Sequence, residues 1–548
     1  MAEPSLQLGN GNWAGKSSNL LAYHKVDNNF YADELTFARA STGTIVNSDG
    51  LIEEVPYNLV EQSNTFDTTW SVGSSTINGG QADKDGGTSA WVIASTTIGS
   101  ETRIRQSQTF TVGEVIALSC YMKAGTVNFG IVRTYSIAGG GRVWFNLLNG
   151  TVGTENSGLT GSIESVGGGW YRCSITGVVT NTGAIDIAPA PADNDYLADA
   201  VGESIYIQDA QLNSGSTAKT YYPTTTRLNI PRVDYLNNSN GSLLLEPQST
   251  NLVTYSEDFS QWSSLTPNDI TYVSNLVNPD GSVGGYKING DGAYLALSLL
   301  TTTQRSIYAR SVSGSGDVQL LTHNSNTNNV FTLTEEWQRF DVNNITSATA
   351  VGSYYIDLRG ASSTLSELYV WGAQATNDQS YPTSYINTSG TTVTRIKDAS
   401  ATTGLSDVIG QTEGTLFFDA YFKDSDSNNI SISDSSSSNY IGIDTSSGNA
   451  VFARVQSGGV TQSTINTSTS YFTDGDRLKC AIAYKENDFA FYINGTQVGV
   501  DTSGSVPNVS DLKFARYNGA IAANQEVNAV ALYKTRLTNT ELATLTTI

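Results

Sequence analysis

Histidine is nearly absent from this sequence, which has only His24 and His323 among 548 residues. The two lie far apart in the chain, so they offer neither a histidine pair for zinc nor a Ser-His-Asp set for nucleophilic catalysis. The sequence also lacks Gly-x-Ser-x-Gly, His-Glu-x-x-His and the Gly-x-x-x-x-Gly-Lys-Ser/Thr phosphate loop. These absences predict that the protein is not an enzyme.

Paired carboxylates are the remaining route to catalysis, because a glycosidase needs only two acids that distant strands bring together. Solvated turns and strand ends explain the same residues, so a polysaccharide depolymerase is the less favoured alternative. The available pairs are Glu53 with Glu54, Glu335 with Glu336, and Asp474 with Asp476.

Cysteine is scarce as well, with only Cys120, Cys173 and Cys480. An odd number spread over two regions implies no disulfide framework and suggests folding in a reducing compartment. The first residues contain no basic and apolar signal peptide, and no stretch approaches the roughly 18 apolar residues of a membrane span. We therefore expect neither secretion by the usual route nor a membrane partner.

Basic residues are outnumbered, with 29 Lys and Arg against 51 Asp and Glu, a formal charge of −22. Such a chain would be repelled by a phosphate backbone, so nucleic acid is not an expected partner. What the sequence does contain is Gly, Tyr and long runs of Ser, Thr and Asn, which suit short strands joined by turns. At this length several cores are needed, and we predict an all-β chain of three or four domains.

An internal repeat sets the domain organisation. Copy 1 is predicted over residues 53–227 and copy 2 over residues 243–396, separated by a linker at 228–242. The shared aromatic positions, Trp70 with Trp262 and Trp170 with Trp337, are expected in the cores rather than as sugar-stacking platforms. Short alternating strands between turns predict a β-sandwich or jelly roll for each copy. The other matched pairs are Asn58-Leu59-Val60 with Asn251-Leu252-Val253, Ser119 with Ser306, Arg172 with Arg339, Ala210-Gln211 with Ala373-Gln374, and Pro223 with Pro382.

The last segment, residues 397–548, differs from both copies. Phe489 to Ile493 leads into Asn494-Gly495 and a second strand-like run, which predicts a hairpin with a type I′ turn. Thr538 and Glu541 fit a capping box and predict a short terminal helix. We expect a third sandwich here.

The first segment, residues 1–52, is too sparse in apolar residues for a core of its own. Its aromatic residues Trp13, Tyr23, Phe30 and Tyr31 are expected to order against a partner, as in an extended anchor that docks on a larger particle. A strand-and-loop extension packed on the first sandwich is the alternative.

Several stretches resemble a recurrent module of bacteriophage tail and head appendage proteins. In that family the module introduces jelly rolls similar to carbohydrate-binding modules, and the resemblance covers roughly residues 36 to 396. The C-terminal segment resembles concanavalin A-like or laminin-G-like domains through Phe491-Tyr492-Ile493-Asn494-Gly495 and Ala531-Leu532-Tyr533-Lys534. The stretches that carry the first resemblance are Phe37-Ala38-Arg39-Ala40-Ser41, Ser48-Asp49-Gly50-Leu51-Ile52, Pro231-Arg232-Val233-Asp234-Tyr235, Leu243 to Leu252 and Tyr255 to Phe259.

The resemblance implies a virion protein, a tail or head fibre or spike that attaches by its N-terminus and presents glycan-binding sandwiches to the host surface. A virion protein is made in the host cytoplasm and exposed after lysis, which reconciles free thiols and a missing signal peptide with a Thr- and Asn-rich surface. By analogy with phage fibres we expect a homotrimer that also contacts other virion proteins. A purely architectural decoration that binds no glycan is the alternative.

Candidate ligand residues come from the Ser-rich loops of the last segment. Tyr440 and Tyr471 could stack on a sugar ring while neighbouring Asp and Asn side chains bind its hydroxyls. Asp424, Asp426 and Asn428 alternate as a calcium loop begins, although the sixth and twelfth positions, Asn429 and Ser435, depart from the EF-hand. Calcium is therefore the one cofactor considered, with a polar loop as the alternative.

Overall fold

The computed structural model describes a chain that is about 52% strand and 2% helix, which confirms the predicted all-β sandwich fold. It forms two compact units, Met1–Val55 together with Ile230–Ile548, and Pro56–Asn229. The described residues are 2–10, 13, 15–16, 19–26, 29–39, 41–55, 58–110, 112–113, 115–137, 140–156, 158–219, 221–224, 231–297, 304–323, 329–343, 352–377, 379, 381–423, 428–446, 448–515 and 524–548.

Six strands precede the first copy of the repeat. They are β1 (Leu6–Gly9), β2 (Gly15–Lys16), β3 (Asn19–Val26), β4 (Asn29–Ala38), β5 (Thr44–Val46) and β6 (Ile52–Glu54).

The unit Pro56–Asn229, here called module 1, is a sandwich of two antiparallel six-stranded sheets, β14-β13-β12-β17-β10-β7 and β15-β16-β11-β18-β9-β8. Alternate residues of each strand, such as Ile104, Val132 and Ile187 in one sheet and Leu118 and Ile207 in the other, meet in a single core. The strands are β7 (Ser71–Gly73), β8 (Ser75–Gln81), β9 (Ala90–Ser95), β10 (Arg103–Gln108), β11 (Val115–Ala124), β12 (Phe129–Thr134), β13 (Arg142–Asn146), β14 (Thr151–Glu155), β15 (Thr160–Gly167), β16 (Trp170–Val178), β17 (Gly183–Ala190) and β18 (Ser204–Ser214).

The second copy, here called module 2, is a sandwich of two five-stranded sheets, β22-β25-β30-β27-β28 and β23-β24-β31-β26-β29. The chain reaches it through β19 (Arg232–Asp234) and β20 (Ser242–Leu245), and β21 pairs with β32 at its two ends. The elements are β21 (Ser249–Asn251), a 3-10 turn (Phe259–Gln261), β22 (Ser263–Ser264), β23 (Ile270–Val277), β24 (Val283–Asn289), β25 (Gly292–Ala296), β26 (Gln304–Ser311), β27 (Gly316–Leu320), β28 (Val330–Leu333), β29 (Gln338–Asn343), β30 (Ser353–Asp357), β31 (Glu367–Thr376) and β32 (Val393–Arg395).

The two modules share one topology, and the same side chains make the same hydrogen bonds. Asn58 bonds to Ala210 O and to the amide of Leu212, and Asn251 bonds to Ala373 O and to the amide of Ala375. The inserted residues of module 1 add an edge strand to each sheet, β14 and β15. Trp70 and Trp262 are buried in the two cores, as predicted.

One sequence match between the copies is displaced. Thr224 donates to Val60 O, and the residue that makes the equivalent bond to Val253 O is Thr388, not Thr383. The pairing of Pro223 with Pro382 was therefore wrong. Both copies contain the sequence Tyr-Pro-Thr, but the residue that occupies the position of Thr224 in module 2 is Thr388.

The C-terminal sandwich is built on β34, which lies between β39 and β43 from Thr415 to Phe422. The predicted hairpin is confirmed, since Asn494 and Gly495 have φ values of 48° and 80° between paired Ile493 and Thr496. The predicted capping box of Thr538 and Glu541 begins helix α1. The elements are β33 (Ala399–Thr402), β34 (Glu413–Phe422), β35 (Asn428–Ser433), β36 (Tyr440–Ser446), β37 (Ala450–Ser457), β38 (Val460–Asn466), β39 (Asp476–Lys485), β40 (Phe489–Ile493), β41 (Thr496–Asp501), β42 (Asp511–Lys513), β43 (Gln525–Tyr533) and α1 (Asn539–Leu545).

The first four strands of the N-terminal segment belong to the sheet of the C-terminal sandwich, whereas β5 and β6 form a separate two-stranded sheet. β1 pairs with β43 and β4 pairs with β33. β20, most of which falls at the start of the predicted copy 2, also pairs with β43. Leu6 and Leu8 fill the same core as Phe418 and Val530. The segment lacks a core of its own, as predicted, because its apolar residues complete a core contributed by residues several hundred positions away.

Candidate functional site

A buried ion network joins three of the stretches that carry the resemblance. Arg39 binds Asp398 at 3.1 Å, and Arg232 binds both Asp398 and, at 2.7 Å, Glu246. Arg395 completes it at 3.4 Å from Glu246, and every one of these side chains is at most 2% exposed. The motif residues therefore hold module 2, the N-terminal strands and the C-terminal sandwich together within one unit.

Glu246 is ionised within this network. Burial alone would raise its pKa, but Arg395 and Arg232 together hold the pKa of Glu246 well below its usual range. Ser384 adds two hydrogen bonds, from its amide and its hydroxyl, at 2.7 and 2.6 Å. A buried, ionised carboxylate that is bonded to arginines and a serine of its own unit is suited to holding structure.

Of the predicted ligand residues of the C-terminal sandwich, the two tyrosines lie at opposite ends of β37. Tyr440 is 4% exposed, so its prediction as a surface aromatic was wrong. Its neighbours Ile441 and Ile443 point into the core, so Tyr440 lies on the other face of β36 and is covered there. It pairs with Ser433 at one end of β35, whereas Asn428 pairs with Asp444 at the other end. Tyr471 is 37% exposed and hydrogen-bonds Asn449 O beside β37. Asp424 and Asp426 lie outside the described residues, as does the side chain of Asn428.

Of the four predicted anchor residues, only Trp13 has a described side chain. Trp13 is 8% exposed, packs against Phe514 and donates from Nε1 to Asn528 O at 3.2 Å, so its ring belongs to the sandwich and not to a docking surface. Tyr23 lies on β3, and Phe30 and Tyr31 lie on β4, but their side chains are outside the described part of the structure.

The outward faces of the module sheets offer better candidates. In module 2, Tyr294 on β25 and Tyr355 on β30 are cross-strand partners whose rings stack 5.6 Å apart at 24°. Ala293 and Ile356 beside them point into the core, so the two tyrosines point away from it. His323 packs edge-on against Tyr355 at 5.1 Å. All three rings are half-buried, which leaves part of each accessible.

Module 1 uses the equivalent face differently. Ile104 pairs with Ile187 as Ala293 pairs with Ile356, so Arg105 and Asp186 occupy the positions of Tyr294 and Tyr355. Arg105 binds Asp186 through two bonds of 2.7 Å. The tyrosine pair of one module is thus an ion pair in the other, and sequence reasoning missed both because the repeat is not matched at these positions.

No family model matches this sequence, and no curated protein matches it. The similar solved structures include carbohydrate-binding modules, laminin G-like domains, a pentraxin and a sialidase. A CBM40 of the Ruminococcus gnavus IT-sialidase is 12% identical over 27% of this chain and 92% of its own, with a TM-score of 0.24. The CBM22 tandem of Paenibacillus barcinonensis Xyn10C is 12% identical over 59% and 97%, with a TM-score of 0.22. Mouse laminin α1 domains LG4-5 are 11% identical over 44% and 86%, with a TM-score of 0.19.

A cavity of about 280 Å³ lies within the unit that contains module 2 and the C-terminal sandwich. Burial raises the pKa of three of its carboxyls, Asp234, Asp341 and Asp474, and nearby Glu526 adds to the effect on Asp234. Lys423 is paired with Glu526. A carboxyl with a raised pKa in a cavity is the type of group from which a general acid is built.

Metal and membrane features are limited in the described residues. Among these residues, no group of three His, Cys, Asp or Glu side chains is placed to hold a metal ion. No described helix combines the length and the apolar character that crossing a membrane requires.

Proposed function

We propose that this chain is a non-enzymatic, glycan-binding appendage protein of a bacteriophage particle, in which the outward sheet faces of the duplicated sandwiches contact host polysaccharide. The observation that supports glycan binding most directly is the stacked pair of Tyr294 and Tyr355 on module 2. The resemblance of the Arg39, Arg232 and Glu246 stretches to phage appendage modules supports the virion role.

The tyrosine pair suits a sugar for physical reasons. A pyranose ring has an apolar face of C–H groups that packs on an aromatic ring, while its hydroxyls bond to polar neighbours. The rings are fixed by sheet pairing and by contact with His323, so little side-chain entropy is lost when a ligand binds.

The experiment is a glycan array followed by binding to whole host cells, with the full-length protein. Tyr294→Ala combined with Tyr355→Ala should weaken binding of neutral glycans about tenfold, as expected for losing two ring contacts. Tyr272→Ala is the matched control, because Tyr272 is 60% exposed on the other sheet of the same module. If the wild-type protein binds neither the glycan arrays nor the host cells, an architectural decoration is favoured instead.

The virion role has its own test. Single sandwich sites bind sugars weakly, so we infer a homotrimer that raises avidity. Size-exclusion chromatography with light scattering should give about three times the mass of 58.4 kDa, and purified particles should contain the chain. A monomer that is absent from particles contradicts the proposal.

A polysaccharide depolymerase is a second candidate because of the cavity described above. It predicts release of reducing ends from host capsule, lost in Asp341→Asn and in Asp474→Asn. Under the favoured proposal, none is released by the wild-type protein.

A further inference from the structure

The outward face of module 1 carries an unusual concentration of positive charge for an acidic chain. Four of the nine basic residues in Pro56–Asn229 lie together there, against two carboxylates. This group is called the arginine cluster and consists of Arg103, Arg105, Arg133 and Arg142 with Glu101 and Asp186.

Glu101 is shared by three guanidinium groups. It lies 2.7 Å from Arg133, 2.9 Å from Arg142 and 3.3 Å from Arg103. Burial opposes its ionisation, but the three arginines lower the pKa of Glu101, so it is a carboxylate at neutral pH. One carboxylate cannot satisfy three guanidinium groups with five donors each, and Nε of Arg142 is buried without a hydrogen-bond partner among the described residues.

Aromatic rings hold the cluster in place. Tyr135 lies 4.4 Å from the Arg105 guanidinium carbon and 3.6 Å from that of Arg133. Tyr196, 37% exposed, lies 4.1 Å from that of Arg142. Stacking keeps the guanidinium planes fixed before any ligand binds, which lowers the entropic cost of recognition.

Two acidic residues of the adjoining loop, Asp193 and Asp195, accept hydrogen bonds from backbone amides. The amide of Thr154 donates to Asp193 at 2.8 Å, and that of Leu197 donates to Asp195 at 3.1 Å. Arg103 and Arg105 remain 27% and 26% exposed at the open side of the cluster. The four guanidinium groups of the cluster are thus paired with only two carboxylates, and its two most exposed members lie on a sheet face flanked by tyrosines.

From this geometry we propose that module 1 binds carboxylated sugars, while the equivalent face of module 2 binds neutral ones. This inference rests on the proposed glycan-binding function and assigns a ligand class to each copy. A carboxylate on a pyranose ring accepts paired N–H bonds from a guanidinium, and a neutral sugar leaves those charged donors unused. The two modules differ at one equivalent cross-strand pair, which is Arg105 with Asp186 in module 1 and Tyr294 with Tyr355 in module 2. This difference gives each module its own ligand class.

The test uses the full chain and four carboxylated polysaccharides, polygalacturonate, hyaluronate, alginate and polysialate, each beside its carboxyl-reduced form. At least one should bind at low salt, its reduced form should bind about tenfold more weakly, and added salt should weaken the interaction. Arg103→Gln should cost about tenfold, whereas Glu101→Gln, which frees donors, should strengthen binding about threefold.

The controls separate ligand binding from folding. Lys287→Gln removes the same charge from a surface pair on module 2 and should change nothing. If Arg103→Gln does not fold, the charge-neutral pair Arg105→Tyr with Asp186→Tyr should abolish the preference for carboxylated over reduced polysaccharide. Binding of none of the four polysaccharides, equal binding of reduced forms, or unchanged affinity in Arg103→Gln would each overturn the inference. If neutral glycans still bind through Tyr294 and Tyr355, the proposed function survives that result; if they do not, both fail.

Discussion

Single buried polar residues fix the duplicated architecture. The Asn251 side chain donates to Ala373 O and Ile386 O and accepts from the amides of Val253 and Ala375, so one amide group joins three stretches of module 2. Asn251→Ala should reduce the free energy of unfolding by about 3 kcal/mol, because four buried backbone groups lose their partner. Urea unfolding measures this, and exposed Asn240→Ala is the control, expected within about 0.5 kcal/mol.

Glu246 gives a residue-scale prediction with a pH dependence. Its pKa is lower in the folded chain than its usual 4.5, so its stabilising contribution is present above about pH 4.5 and is lost as the pH falls through the lower folded pKa. Glu246→Gln should cost about 3 kcal/mol at neutral pH, because three buried arginines are left with one carboxylate. Its unfolding free energy should also change less between pH 5 and about 3.

The measurement for Glu246 is urea unfolding at several pH values. Glu367→Gln is the matched control, since Glu367 is 39% exposed in a surface pair with Lys287. An equal acid slope in wild type and Glu246→Gln would contradict the linkage.

Strand β1 provides the prediction at the scale of an element. Its side chains alternate, with Leu8 buried in the core of the C-terminal sandwich and Gln7 exposed. Leu8→Asp should destabilise that sandwich by about 3 kcal/mol and raise hydrogen exchange in β43, whereas Gln7→Asp should do neither. Unchanged exchange in Leu8→Asp would restore the picture of a detached anchor.

The sequence predicts where a turn or helix forms better than it predicts which strands pair with each other. The Asn494-Gly495 turn and the Thr538 capping box depend on neighbours in sequence, so local chemistry determines them. The pairing of Leu6 with Leu532 depends on an edge more than 500 residues away, and no local signal encodes it. Tyr440 shows the same limit: a Ser-rich flank suggests an exposed ring, but residues distant in sequence leave it only 4% exposed.

At the scale of the molecule, the candidate sites lie where the copies differ and the cores lie where they agree. A repeat search finds the residues that both copies retain, such as Asn58 with Asn251 and Trp70 with Trp262, and these are structural. The pair Arg105 with Asp186 and the pair Tyr294 with Tyr355 share a position but no residue type, so only strand register reveals their equivalence. Function could not be read from the repeat for that reason.

The same organisation predicts independent folding of module 1. All of its core residues in the described chain, from Val60 to Leu212, come from within Pro56–Asn229. A fragment of residues 56–229 should therefore unfold in one cooperative urea transition, with a midpoint close to one of two transitions in the full chain. Leu118→Ala should reduce the free energy of unfolding of module 1 by about 3 kcal/mol, because Leu118 is fully buried in this core alone. The urea midpoint should therefore fall equally in the fragment and in the full chain. A fragment without a cooperative transition, or a Leu118→Ala effect on both transitions of the full chain, would mean that module 1 depends on residues outside its own unit.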